Sequence, residues 1–199
     1  AVIGTAAVLE FMMVDEDVMK NARDLERALL DAEKFLETDV YNDDSLLSDH
    51  LLRGGHIPPN TKMMWEYSED TEEGKRRTNY YVVKDAIVLT GDDINDAQVS
   101  MDQFNQPYTA MEFKPRGAAI FSEVTEENVG KRFAIILDKE VQSAPNIREK
   151  IGGGRASIEM GSNDYQQAMH DASVLSLVLR TGALPAPVTI GKVRTVGAS

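Results

Sequence analysis

The chain has 199 residues and a mass of 22.0 kDa, room for one generous domain or two small ones. Its 33 acidic and 21 basic side chains leave a formal charge of −12. That excludes unspecific grip on nucleic acid or an anionic bilayer, because either needs a cationic surface. Apolar residues make up 42% and cysteine is absent, so a core can form, whereas disulfides, thiolate metal sites and cysteine nucleophiles cannot. No run reaches the roughly 20 apolar residues that span a bilayer, and no signal peptide opens the chain. Ala1-Val2-Ile3-Gly4 reads as the end of a helix already in progress, which points to a piece of something longer.

A strand is expected over Thr5–Val14, which is apolar and β-branched with one charge. An amphipathic helix follows, with Val18, Ala22, Leu25, Ala28, Leu29, Ala32 and Leu36 at spacings of three and four. Asp15, Glu16 and Asp17 stand at its start, where the helix dipole favours negative charge. Residues 39–60 read as a short helix and then a loop carrying Gly54-Gly55 and Pro58-Pro59. Strands are expected at 62–67 and 79–84, joined by a solvated, mobile loop over 68–78. Ala86-Ile87-Val88-Leu89 leads into the polar turn Thr90-Gly91-Asp92-Asp93, and 96–103 with 107–114 form a second hairpin.

Pro115 precedes a helix over 117–128 with Ala118, Phe121 and Val124 on one face. Phe133–Leu137 is an apolar run typical of a strand buried on both faces. Residues 140–148 contain Pro145, which cannot donate to a ladder, so an edge or a bulge is expected there. A strand at 155–160 follows Gly152-Gly153-Gly154. A helix capped by Ser162 or Asn163 then carries the stripe Ala168, Ala172, Leu175, Leu179 and ends at Gly182. Pro185 and Pro187 set an extended entry to a final strand, 187–196. Hairpins with interspersed helices make the fold class α+β.

Two acidic loops suggest chemistry. Asp15-Glu16-Asp17 ends one apolar strand, and Gly91-Asp92-Asp93-Ile94-Asn95-Asp96 ends another. Both resemble the magnesium-binding loops of haloacid-dehalogenase-type phosphatases, with Asp15 and Asp17 as nucleophile and proton carrier, Asp92 and Asp96 on Mg²⁺, and Lys75 or Lys84 on phosphate. Against this stand Met19, where those enzymes carry Thr or Val, and the lack of βαβ alternation between the loops. His50, His56 and His170 lack ligand spacing, Gly152-Gly153-Gly154-Arg155 lacks P-loop context, and Ser143 lacks a nucleophile elbow. Trp65, Tyr67, Tyr80 and Tyr81 suit cross-strand packing, and Met12, Met13, Met63 and Met64 suit core filling. No catalytic, cofactor-binding or metal-binding residue is assigned.

Four stretches carry a different resemblance: Ile3–Phe11, Leu89–Ile94, Glu127–Asp138 continuing through Val141-x-Ser143-Ala144-Pro145-x-Ile147, and Leu177–Val188 closing with Arg194–Gly197. In that order they resemble the first periplasmic domain of the SecD family of protein-export membrane proteins. The match spans 1–14 and about 86–197, while 15–85 match weakly. Thr181 stands where the family usually has Ala, and Ala198 where it has Pro.

The resemblance implies an incomplete ferredoxin-like base built from both chain ends, with an inserted hairpin-rich α+β head. On this reading 1–14 are the first base strand, 15–60 a largely helical insertion, 61–161 the head, and 162–199 the returning base helix and strand. It implies a non-enzymatic role, helping preproteins complete passage across the bacterial inner membrane. The partners would be SecF, YajC, SecYEG and the translocating preprotein, without nucleic acid. The proton gradient would act through membrane helices outside this sequence, and this portion would face the periplasm. Gly4, Gly182, Pro185 and Pro187 lie near the expected base–head connections as hinge or stop elements. A third reading makes the chain a spacer docking a partner through the helix at 18–36.

Overall fold

A computed structural model describes residues 8–70 and 74–181. Its strands and helices confirm the α+β class. The chain begins with β1 (Leu9–Val14), then four helices: α1 (Glu16–Lys20), α2 (Arg23–Phe35), α3 (Thr38–Asn42) and α4 (Asp44–Arg53). The hairpin β2 (Thr61–Asp70) and β3 (Gly74–Thr90) follows. A 3₁₀ turn at Gly91–Asp93 leads to β4 (Ile94–Met101) and β5 (Pro107–Phe113). Then come α5 (Pro115–Glu127), β6 (Phe133–Leu137), β7 (Glu140–Ser143), β8 (Arg155–Glu159) and α6 (Tyr165–Thr181).

Five strands close into a barrel in the order β1-β3-β2-β7-β6, with β6 returning to β1. The pairings are antiparallel except β2 with β7. Strand alternation then sorts the side chains. Met12, Val14, Met64, Val83, Ala134, Ile136 and Val141 form one buried cluster. The neighbours of these residues along the strands, Leu9, Phe11, Met13, Phe133, Ile135 and Leu137, belong to a second. That second core is closed by the sheet β4-β5-β8 and by α5 and α6. Its centre is aromatic: Phe11, Phe113, Phe121 and Phe133 make a ring of contacts with centroid separations of 4.6 to 6.1 Å. A third core lies under the helical layer, where Leu25, Ala28, Ala32, Leu47 and Leu51 cover Met63, Trp65 and Val82 of the hairpin.

Several elements depart from the sequence expectation. The helix at 18–36 is broken. The Asn21 amide side chain donates to the Asp17 carbonyl and its backbone N–H to the Val18 carbonyl, ending α1 after five residues. Two helices, not one, occupy 38–53. The stretch expected as a mobile loop at 68–78 is mostly ladder, since pairing continues to Asp70 opposite Gly74. Charge suggested a loop, but backbone pairing does not need apolar side chains. β7 stops at Ser143, just before Pro145, whose carbonyl instead accepts from Phe133 N–H. The cap of α6 is Asp164, which accepts from Gln167 N–H at 2.8 Å, rather than Ser162 or Asn163.

The elements expected at the two ends of the base, β1 and α6, both pack on the 61–161 unit. β1 is hydrogen-bonded on both sides into the 61–161 unit, through β3 and β6. α6 lies on β4 and β5, where the Thr109 hydroxyl donates to the Ala172 carbonyl. Both elements contribute buried residues to the same cores as residues 61–161. The expected strand at 187–196 lies outside the described residues.

Gly117 marks a close approach between α5 and the 3₁₀ turn. A Cβ there would stand 2.8 Å from Asp93 Cβ and 2.9 Å from the Asp93 carbonyl oxygen. Gly117→Ala should therefore cost about 1–3 kcal/mol through overpacking. An unchanged urea midpoint would show that the helix and turn part more easily than this geometry implies.

Candidate functional site

The acidic loops do not meet. β1 and β3 run antiparallel, with Glu10 opposite Thr90 and Val14 opposite Val83. Asp15 therefore sits at one end of the pair, its N–H on the Val82 carbonyl, and Asp92 at the other. Asp15 caps α1 by accepting from Val18 N–H. Asp93 is buried, accepts from Thr90 N–H and pairs with Arg116. Asp17, Asp92 and Asp96 are exposed. Lys75 is engaged by Glu140 at 2.7 Å, and Lys84 is an exposed residue on the barrel hairpin. The phosphatase reading has no site on which to stand. Among the described residues no three His, Asp or Glu side chains gather as a ligand set, and no helix is long and apolar enough to cross a membrane. Gly4, Gly182, Pro185 and Pro187 lie outside the described residues.

A cleft of about 460 Å³ opens where the barrel seam splits. β2 and β7 pair only at Trp65–Glu140 and Glu66–Val141. The next rungs are missing because β2 carries a bulge between Glu66 and Tyr67, which bends it away. Beyond the bulge β2 pairs with β3 alone, and β7 with β6 alone. Tyr67, Tyr81 and Gln142 line one wall, and Glu159, Met160 and His170 the other.

Each tyrosine on the barrel wall is braced by an arginine–carboxylate pair. The Tyr67 hydroxyl donates to Asp44 at 2.7 Å, and Arg77 binds the same carboxylate through Nε and Nη2 at 3.0 and 2.7 Å. The Arg77 guanidinium lies 4.7 Å from the centroid of the Trp65 ring. Burial, with Asp44 beside it, pushes the Tyr67 phenol up to about 12. Tyr81 sits under Arg132, whose guanidinium is 5.5 Å from the ring centroid. Arg132 in turn holds Glu16 through Nε at 2.8 Å and Nη2 at 3.1 Å, a bidentate fork. Sequence reading placed Glu16 only as a helix-start acid and did not single out Arg132, Asp44 or Arg77. Their partners are 116 and 33 positions away, so no local spacing could reveal them.

The edges of the three-stranded sheet are treated differently. The Arg180 fork donates to the Ala97 carbonyl at 3.0 and 2.6 Å and so covers β4. β8 is paired with β5 and, among the described residues, with no second strand. Its C-terminal end opens into the cleft.

The cleft is framed by the ends of β2, β7 and β8, and comparison with known proteins gives the chain a family. The sequence model of the family described as SecDF, P1 head subdomain, matches residues 65–186. That is more than half of the chain, and the chain belongs to this family. The protein translocase subunit SecD of Calditerrivibrio nitroreducens is 43% identical over 159 residues, covering 79% of this chain and 30% of that protein. SecD of Desulfurispirillum indicum is 39% identical over 184 residues, covering 90% and 34%. The chain thus spans about a third of the curated relatives it matches. The crystal structure of SecDF from Thermus thermophilus, described as a translocon-associated membrane protein, is 32% identical with a TM-score of 0.50, over 94% of this chain and 21% of that one.

The Glu16 carboxyl is held below its ordinary value by its hydrogen bond to Arg132, against the opposing effect of burial. A carboxylate of lowered pKa stabilises above its unfolded value and loses that contribution as pH falls. The melting-temperature advantage of the wild type over Glu16→Gln should be full near neutrality and shrink below about pH 4.3. A gap that stays constant from neutral to acid pH would show that the fork contributes packing rather than charge.

Proposed function

We propose that this chain is the periplasmic head-bearing portion of a Sec export accessory subunit of the bacterial inner membrane, and that it holds emerging preproteins without catalysis. In the whole protein it would act with SecF, YajC and SecYEG, helping preproteins complete translocation by drawing on the proton gradient through membrane helices outside this sequence. One observation carries the reading: every residue lining the seam cleft falls within 65–186, the span the family shares. A client leaving a channel is extended and has free backbone groups. The parted ends of β2 and β7 offer backbone partners that read no side-chain sequence.

The same reading supplies a hinge. The described unit is left at two points, and both flank residues 91–97. Leu9 Cβ is 3.3 Å from the position of a Cβ on Gly91, and Arg180 binds the Ala97 carbonyl. Two tethers at one end suit a head swinging on a ferredoxin-like base, with Gly4, Gly182, Pro185 and Pro187 at the connections.

The test places a photoreactive amino acid at Gln142 or Tyr81 of the full-length subunit in cells carrying a translocation-arrested secretory protein. Crosslinks to the arrested chain are expected there and not at Glu123, an exposed position on α5. Crosslinks at Glu123 but at neither cleft position would remove the cleft as the client site.

A further inference from the structure

A second groove lies outside the family-matched span and has a different character. It runs between α2 and the end of α4, with a volume of about 660 Å³. Leu25, Ala28 and Ala32 line its floor, and Phe35 stands at its rim. Phe35 is 80% exposed and Leu30, on the same helix, 56%. Ala28 and Ala32 cap the core beneath, and their small side chains leave the groove open above them, with the unshielded Phe35 ring beside it as a ready anchor.

The surroundings are strongly acidic. Residues 15–60 hold twelve acidic and five basic side chains, a net −7 of the chain's −12. Asp24 and Asp31 line the groove, are exposed, and make no ion pair among the described residues; Arg27 lines it between them, and His50 and His56 line it from the α4 side, so the cationic groups there are fewer than the acids of the layer around them. Charge therefore selects the occupant. A second copy of this chain would bring another −12, and an anionic bilayer or nucleic acid would be repelled in the same way.

We propose that the groove between α2 and α4 docks a cationic amphipathic helix of a partner polypeptide, its apolar stripe on Ala28, Ala32 and Phe35 and its lysines or arginines toward Asp24 and Asp31. A helix suits the site because the walls are themselves helices, whose ridges and grooves accept a third. α2 has thirteen residues, a length of about 20 Å, enough for three successive anchors at helical spacing. The inference is independent of the client cleft and stands or falls without it.

The probe is a fluorescent leucine–lysine peptide of about five helical turns with one apolar face, titrated into the 199-residue chain by anisotropy. Saturable binding that weakens with added salt is expected, with no binding by the leucine–glutamate counterpart or by a scrambled leucine–lysine peptide lacking an apolar face. Phe35→Ser should weaken binding about tenfold, the scale of one lost anchor, and Asp24→Asn with Asp31→Asn should flatten the salt dependence. All three side chains are exposed, and circular dichroism checks that the variants stay folded. Equal binding of the scrambled peptide, or indifference to Phe35→Ser, would overturn the proposal. So would self-association, or capture by anionic vesicles, that Phe35→Ser abolishes.

Discussion

β1 and β6 are buried on both faces. Between them Met12, Val14, Ala134 and Ile136 fill the barrel, while Leu9, Phe11, Met13, Phe133, Ile135 and Leu137 point the other way into the core under α5 and α6. One pair of strands thus forms the wall of two cores. A barrel whose outer wall is itself interior cannot shed the sheet β4-β5-β8 without exposing the ring of four phenylalanines. Each buried ring stabilises by about 1.5–3 kcal/mol, comparable in sum to the whole margin of a small domain. The barrel and the second layer therefore form one packed body.

This shared wall explains which expectations could be read from the chain. Phe133–Leu137 is an unbroken apolar run, and all five residues are buried, because a strand covered on both faces needs no polar alternation. The stripe of α6 was equally legible: Ala168, Ala172, Leu175 and Leu179 are all buried. What failed depended on partners distant in sequence. Residues 68–78 look like a loop by composition, yet 68–70 pair with 74–76 in the hairpin ladder. The strand at 9–14 gives no local sign of its neighbours, yet β3 and β6 supply hydrogen bonds on both its sides.

The candidate cleft was less legible still. Its walls come from β2, β3, β7, the end of β8 and α6, and its existence turns on a single bulge at Glu66–Tyr67. Bulges leave little trace in a sequence without Gly or Pro at the site. The two acidic loops show the reverse case: their local spacing was suggestive, but antiparallel pairing sends them to opposite ends of the strands. Composition and spacing report the chemistry available, and topology decides which groups share a site.

The two grooves divide the molecule by the kind of partner each can hold. The seam cleft offers strand ends and hydroxyl-bearing rings, each ring stiffened by an arginine fork, so a guest there would be gripped through its backbone. The helical groove offers alanine, leucine and an unshielded Phe35 beneath a negative field, so its guest must bring side chains of the right character. Asp44 and Arg77 connect them. The pair fixes Tyr67 on the cleft side, and Arg77 also donates to the Tyr41 carbonyl of α3 at 2.8 Å while stacking on Trp65. The helical layer is thereby fastened to the barrel at the point where the seam opens. A partner that displaces α3 or α4 would have to disturb the support of Tyr67, just as one that displaces α1 would disturb the Glu16–Arg132 fork beside Tyr81.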